Sequence, residues 1–164
     1  MRVEEPGRWL DRLRDLGLEL PPVAPPVAAY VPAVRHGDLI LVSGQLPVSG
    51  GQLRYRGHLG GGVSVEDGQA AARLAALGAL AAACAVAPGG PAGVGQPLSV
   101  EGFVQCTPDF HDQAKVINGA SELFGALFPG VGHRRAAVGC AALPLDAAVE
   151  VAVIFAVRQD GSAQ

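Results

Sequence analysis

The strongest pattern of apolar and polar positions lies near the C-terminus. From Val149 to Val157 the period-2 rule puts Val149, Val151, Val153, Phe155 and Val157 on one face of a strand, and Glu150, Ala152, Ile154 and Ala156 on the other. Both faces are apolar except at Glu150. A strand apolar on both sides has to be covered on both, which in a chain of this length predicts helices on one side and a partner subunit on the other. Glu150 then points toward the subunit-facing layer.

The rest of the chain divides into similar elements. Trp9, Leu10, Leu13 and Leu16 have helical spacing within residues 6–16, and Gly17 supplies a stop; this short helix reads as an appendage to the core. Pro21, Pro22, Pro25 and Pro26 make Leu20 to Val27 an extended connection. A strand near Ala29 to Val34, turn residues at His36-Gly37-Asp38 and a strand at Leu39 to Ser43 form a predicted hairpin. The glycines between Gly50 and Gly62 lack the Gly-x-x-x-x-Gly-Lys-Ser/Thr signature of a phosphate loop, so that region reads as hairpin and loop. Ser64, with Asp67 three residues later, starts a helix that runs to about Val86. Pro88-Gly89-Gly90-Pro91 ends it. A third strand is expected from Leu98 to Cys106, and Asp109 can cap a second core helix through about Phe128, whose apolar face carries Val116, Ile117, Leu123, Phe124 and Leu127. A strand around Arg135 and the strand at Val149 to Val157 complete the order β-β-α-β-α-β-β. That order predicts a single-domain α+β sandwich with both core helices on one sheet face.

Composition narrows the partners. The chain has 164 residues and a net charge of −3, with no basic block, which argues against an electrostatically driven nucleic-acid binder. The Ala-rich run from Ala70 to Ala87 contains Arg73, and its uncharged part is too short to span a bilayer. Met1 is followed by Glu4 and Glu5 rather than by a basic and then apolar leader, so a soluble, cytoplasmic protein is expected. The three cysteines, Cys84, Cys106 and Cys140, have no Cys-x-x-Cys spacing and read as small buried hydrophobes. The four histidines show no metal-ligand spacing, and no metal is expected.

The candidate chemistry lies in the last third, where Arg135 stands nine positions before Pro144 and Glu150 six after it. Ions are rarely carried into an apolar sheet unless they are paired or bind a ligand. On the residues alone the two read best as a structural ion pair between adjacent strands. Tyr30 reads as an aromatic strand residue and Ser43 as a turn residue ahead of Gly44. Asn118 is mildly unfavourable inside a helix, which hints at a hydrogen-bonding task. His133 and Arg134 read as solvated residues at the start of a strand, as do His58, Arg54 and Arg56.

Four pieces taken together resemble the YjgF/Rid family of reactive-intermediate deaminases, over residues from about Tyr30 to Val157. They are Tyr30 with Val42-Ser43-Gly44-Gln45-Leu46-Pro47, Val116-Ile117-Asn118-Gly119, Arg135 ahead of Leu143-Pro144, and Val149-Glu150-Val151. The resemblance implies a chorismate-mutase-like domain at residues 29–158, preceded by the helix and Pro-rich extension of residues 1–28 and followed by a tail at 159–164. It also implies a homotrimer with clefts between subunits. The activity implied is hydrolysis of 2-aminoacrylate and related 2-imino acids to 2-keto acids and ammonia, without a cofactor. The alternative is a trimeric small-carboxylate- or partner-binding protein without turnover, and a ribonuclease is a distant third. By resemblance, Arg135 holds the substrate carboxylate with the Gly44 amide beside it, Glu150 stands near the catalytic water, and Tyr30, Ser43 and Asn118 line the cleft. The chain departs from many deaminase members in having Ala137 where they have a cysteine. Cys140, an odd number of residues from Arg135, is expected to face the other way.

Overall fold

The computed structural model describes residues 7–25 and 28–158. The expected tail at 159–164, the Pro6 start of the first helix, and Pro26 and Val27 of the extended connection lie outside the described residues. The elements are α1 (Arg8–Asp15), β1 (Ala33–His36), β2 (Leu39–Gln45), β3 (Val48–Ser49), β4 (Gln52–Leu53), α2 (Val65–Val86), β5 (Val94–Gln105), α3 (Gln113–Leu127), β6 (Arg134–Cys140) and β7 (Val149–Val157). Five strands make a mixed sheet in the order β1-β2-β7-β5-β6, in which only the β5–β6 pair is parallel. The small β3–β4 hairpin stands apart from that sheet.

Both core helices cover one face, as the pattern predicts. The Ser64 hydroxyl accepts a hydrogen bond from the Asp67 amide at 3.0 Å and caps α2. This helix is long and apolar enough by composition to cross a membrane, but here it is a core helix. Ala71, Ala72, Ala75, Ala76, Ala79 and Leu80 are fully buried. Alanine combines high helix propensity with a small side chain, which lets the backbone approach its neighbours closely. The two helices pack so tightly that a Cβ at Gly119 of α3 would collide with the Gln69 carbonyl of α2. On the strand side, the Val149, Val151, Val153 and Phe155 row is sealed beneath these helices, with Phe124 edge-on to Phe155 at a ring separation of 5.7 Å.

Among the described residues no layer covers the opposite face. Val34, Leu39, Leu41 and Val138 are exposed on it, and Glu150, Ala152, Ile154 and Ala156 are half-buried.

Several expectations need correction. The helix α1 is built into the core rather than appended to it. Trp9 and Leu13 are buried, Trp9 donates to the Pro91 carbonyl at 3.1 Å, and Arg12 donates to the Leu127 carbonyl at 2.8 Å, satisfying one of the orphan acceptors at the end of α3. The first strand starts at Ala33, not near Ala29, so Tyr30 lies in a bend; Pro32, lacking an amide proton, stands at the boundary. Asp109 does not cap the second core helix. Its carboxylate takes a hydrogen bond from the Thr107 side chain, which lowers its pKa, and α3 begins only after Asp112. The third strand starts at Val94 and runs through Pro97. That proline is tolerated because β6 begins alongside Ser99, which leaves the first part of β5 an edge.

Candidate functional site

The sequence-predicted residues fall into two groups. The first is built on a β-bulge in β2. Val42 faces Val153 and Gln45 faces Val151, so Ser43 and Gly44 together oppose the single residue Ala152. The Ser43 amide donates to the Pro32 carbonyl at 2.9 Å, and its hydroxyl donates to the Val31 carbonyl at 2.7 Å, tying the Tyr30 segment to the bulge. Gly44 lies directly against Glu150, and a Cβ there would collide with the Glu150 carboxylate. Tyr30 and Gly44 line the same small pocket. Glu150 is half-buried on the open face, and burial raises its pKa above the ordinary glutamate value. It has no cationic partner among the described residues.

The second group is on the edge of the sheet. Arg135 pairs with Val100, which places it on the helix-covered side of β6. Its guanidinium donates to Asn118 Oδ1 at 2.8 Å and to Ser121 Oγ at 3.2 Å. Asn118 therefore has the hydrogen-bonding task that its place in a helix hints at. Ser121 also meets His133 Nε2 at 3.0 Å. Burial first, and then the charge of Arg135, hold His133 below the ordinary histidine pKa, which favours the neutral ring. Both Arg135 acceptors are neutral. No carboxylate among the described residues compensates its charge, whereas its neighbour Arg134 turns to the other face and pairs with Glu101 at 3.5 Å. His133 and Arg134 are thus engaged rather than merely solvated.

Arg135 and Glu150 do not form an ion pair. Strand β5 stands between β6 and β7, and the register puts the two residues on opposite faces. Ala137 and Gly139 follow Arg135 on the helix-covered side, while Cys140 faces the open side as its odd spacing predicts, its thiol pKa raised mainly by burial.

Two features escape a reading of the sequence. Ser121 and His133 complete the setting of Arg135, and neither has a motif. Gln105, almost wholly buried at the end of β5, donates to the Gly57 carbonyl at 3.0 Å and to Asp146 Oδ1 at 2.7 Å, and accepts from the Leu143 amide at 2.7 Å. It joins the loop after β4 to the loop before β7. In the latter, Leu145 and Asp146 are both left-handed, with φ of 59° and 62°. A polar residue in an apolar strand is the signal that could have drawn attention to Gln105.

The family described as YjgF/chorismate mutase-like, putative endoribonuclease, matches residues 10–157. The chain belongs to the YjgF/chorismate-mutase-like family. Protein TCP17 of Trypanosoma cruzi is 42% identical over 153 residues, which cover 92% of this chain and 95% of that protein. Among solved structures, Atu1372 of Agrobacterium tumefaciens, a protein of unknown function, superposes with a TM-score of 0.84 at 40% identity over 92% of each chain. A structure from Shewanella oneidensis, described as a putative endoribonuclease, gives 0.84 at 33% identity over 91% of this chain and 99% of its own. Membership in the YjgF family accounts for the α+β, chorismate-mutase-like architecture, with its mixed five-stranded sheet and three helices.

Proposed function

We propose that this YjgF-family protein is a hydrolytic deaminase of reactive 2-imino acids, working without a cofactor in clefts between subunits of a homotrimer. Proteins of the family are typically homotrimeric small-molecule binders. One observation carries the reading: among the described residues Arg135 and Glu150 have no compensating charge, and they lie on opposite faces of the sheet, one at its edge and one on its uncovered face. Apposing the edge of one copy to the open face of the next buries the apolar face and brings a cation and a carboxylate to one cleft. The open face gains the cover that its valines and leucines lack.

The chemistry follows from those two groups. A guanidinium oriented by Asn118 and Ser121 presents parallel donors to a substrate carboxylate. Glu150 accepts a proton from water as the water oxygen bonds to the imine carbon. It returns that proton to the imine nitrogen to give a carbinolamine, then takes the remaining proton from the new hydroxyl and passes it to the amino group as the C–N bond breaks and the C=O bond forms, so that ammonia leaves and the 2-keto acid remains. A carboxyl whose pKa is raised by burial suits both steps better than an ordinary one. The Gly44 amide stands beside the substrate carboxylate, and Tyr30, Ser43 and Asn118 line the cleft.

Ala137 in place of a cysteine favours a second reading, a binder that holds a small carboxylate without turnover. For the ribonuclease reading, His58 and His111 do line one depression. However, His58 Nε2 is engaged by the Ala141 carbonyl at 2.9 Å, and among the described residues no lysine or arginine lines that depression to hold phosphates.

The test is a coupled assay in which a pyridoxal-phosphate lyase generates 2-aminoacrylate from serine and keto-acid release is followed with and without this protein. Acceleration is expected. Absence of acceleration, with pyruvate still bound, moves the assignment to the binder. Sedimentation should give a trimer, and a stable monomer at micromolar concentration would remove the shared cleft.

A further inference from the structure

The end of β7 farthest from Glu150 carries a feature that the proposed reaction does not use. There α1, the start of β5 and the turn after α3 enclose a cavity of about 260 Å³, whose lining includes Arg8, Trp9, Gln96, Phe128, Val157 and Arg158. Trp9 and Phe128 make one aromatic wall, with their rings 5.9 Å apart, and the indole N–H is already taken by the Pro91 carbonyl, which leaves that wall without a free donor. The rim is cationic. Among the described residues no carboxylate lines the cavity, and neither the Arg8 nor the Arg158 guanidinium has a hydrogen-bond or ion-pair partner. Two guanidinium groups at one mouth repel each other and focus a positive potential on it, a cost that a bound anion removes.

The backbone is irregular at the same place. Val94 faces Val157 and Pro97 faces Phe155, so Gly95 and Gln96 together oppose the single residue Ala156 in another β-bulge. Only glycine fits at position 95, where a Cβ would lie 2.9 Å from the Ala156 carbonyl oxygen. Strand β6 begins alongside Ser99, so among the described residues no strand pairs with this stretch on its outer side, and the Gln96 side chain has no hydrogen-bond partner. An aromatic wall, two uncompensated cations and an unused polar side chain thus meet at one cavity. A cavity of about 150 Å³ accepts benzene, so this one has room for a single ring with a short acidic arm, and one carboxylate has lone pairs enough for two guanidinium groups. We propose that it is a second binding site, separate from the Arg135 and Glu150 half-sites, for a small aryl-substituted carboxylate whose acid is held by Arg8 and Arg158 while its ring packs against Trp9 and Phe128.

Trp9 is the chain's only tryptophan, so its emission reports on this cavity directly. That emission is followed while the protein is titrated with phenylacetate, with phenylethanol, which keeps the ring and loses the charge, and with acetate, which keeps the charge and loses the ring. Phenylacetate should give a saturable change in wild type and bind at least about tenfold more tightly than either of the others, the loss expected when a charge-assisted hydrogen bond or a buried ring is removed. The double variant Arg8→Gln, Arg158→Gln should melt as wild type does, since neither guanidinium is bonded among the described residues, and should lose at least about tenfold in affinity for phenylacetate. Arg135→Lys should bind phenylacetate as wild type does. No saturable change in wild type, equal binding of phenylethanol, or undiminished binding in the double variant would overturn the site, and so would loss of binding in Arg135→Lys, which would place the acid in the intersubunit cleft instead.

Discussion

The two faces of the central sheet are made from the same strands and are put to different uses. Under α2 and α3 the side chains are alanine, valine, leucine and phenylalanine at essentially zero exposure, helix and strand approach at glycines, and the helix starts are capped or charge-paired. The other face carries a bulge, a carboxylate with no counter-ion among the described residues, and a row of exposed aliphatic residues. A finished interior tolerates little change in volume, because its neighbours are already in contact. An unfinished face tolerates change in the free chain and is sensitive only through what it later binds. The contrast teaches where stability and function should separate on mutation.

The largest expected effect falls on the covered face. Phe155 is fully buried and edge-on to Phe124, so Phe155→Ala removes a ring from a packed interior and should cost about 3–5 kcal/mol of stability. Denaturant unfolding checks this. Ile154→Ala, one residue away on the open face, should cost the isolated chain much less, and equal losses at the two positions would erase the contrast between the faces.

Glu150→Gln comes next and should act on turnover rather than on folding. Loss of a general base should lower imine hydrolysis by about 10²-fold or more while pyruvate is still bound. The pH dependence carries a sign. Burial raises the Glu150 pKa above its ordinary 4.5, and the deprotonated form is the acceptor, so wild-type kcat/KM should fall as pH drops through a value above 4.5, a limb that the variant lacks. Stability runs the other way. A raised folded pKa contributes stability that is full below the unfolded pKa and is lost as pH rises through the folded one, so the uncharged Gln variant should melt higher than wild type above that window and level with it below. The opposite order would mean that a cation from another copy sits against Glu150 in the assembly, which sharpens the picture of the cleft.

The elements were largely legible in the sequence because each rests on a local signal. The alternation at Val149–Val157, the Ser64/Asp67 cap and the apolar spacing of α3 specify their elements almost residue by residue. The family was legible from four short pieces, although each is weak alone. What could not be read is set by tertiary context. Nothing local places β5 between β6 and β7, and that insertion turns the expected Arg135–Glu150 pair into two separate half-sites. The Asp109 cap failed because a turn that returns the Phe110 amide to the Thr107 carbonyl delays the helix to Gln113. The α1 helix read as an appendage because its amphipathic face does not say what it packs on; Phe128 and the Leu127 carbonyl supply the answer.

Arg135→Lys probes the edge half-site. Lysine keeps the charge but cannot reach Asn118 and Ser121 while offering two parallel donors to a carboxylate. Affinity for pyruvate should weaken by about 1.5–3 kcal/mol, the range for hydrogen bonds to charged groups, with the fold and trimer retained. Calorimetry against pyruvate measures it. Wild-type affinity in this variant would make Arg135 a structural residue that fastens β6 to α3.

The smallest effects come from a pair of serines, one serving each face. Ser64→Ala removes the cap of α2, and Ser43→Ala removes the hydroxyl that ties the bulge to the Val31 carbonyl; each deletes one hydrogen bond. On energy alone the two are close, about 1 kcal/mol apiece. They should differ in where that energy appears. The cap is remote from either half-site, so Ser64→Ala should lower the melting temperature and leave pyruvate affinity unchanged. Ser43 fixes the bulge that sets Gly44 against Glu150 and the segment that carries Tyr30, so Ser43→Ala should lower keto-acid affinity or turnover by more than its loss of stability explains. Melting curves and pyruvate titrations on the same two variants decide the matter. If Ser43→Ala behaves like Ser64→Ala, the bulge is a sheet feature only, and the open face loses the residue-level link between its backbone irregularity and its chemistry.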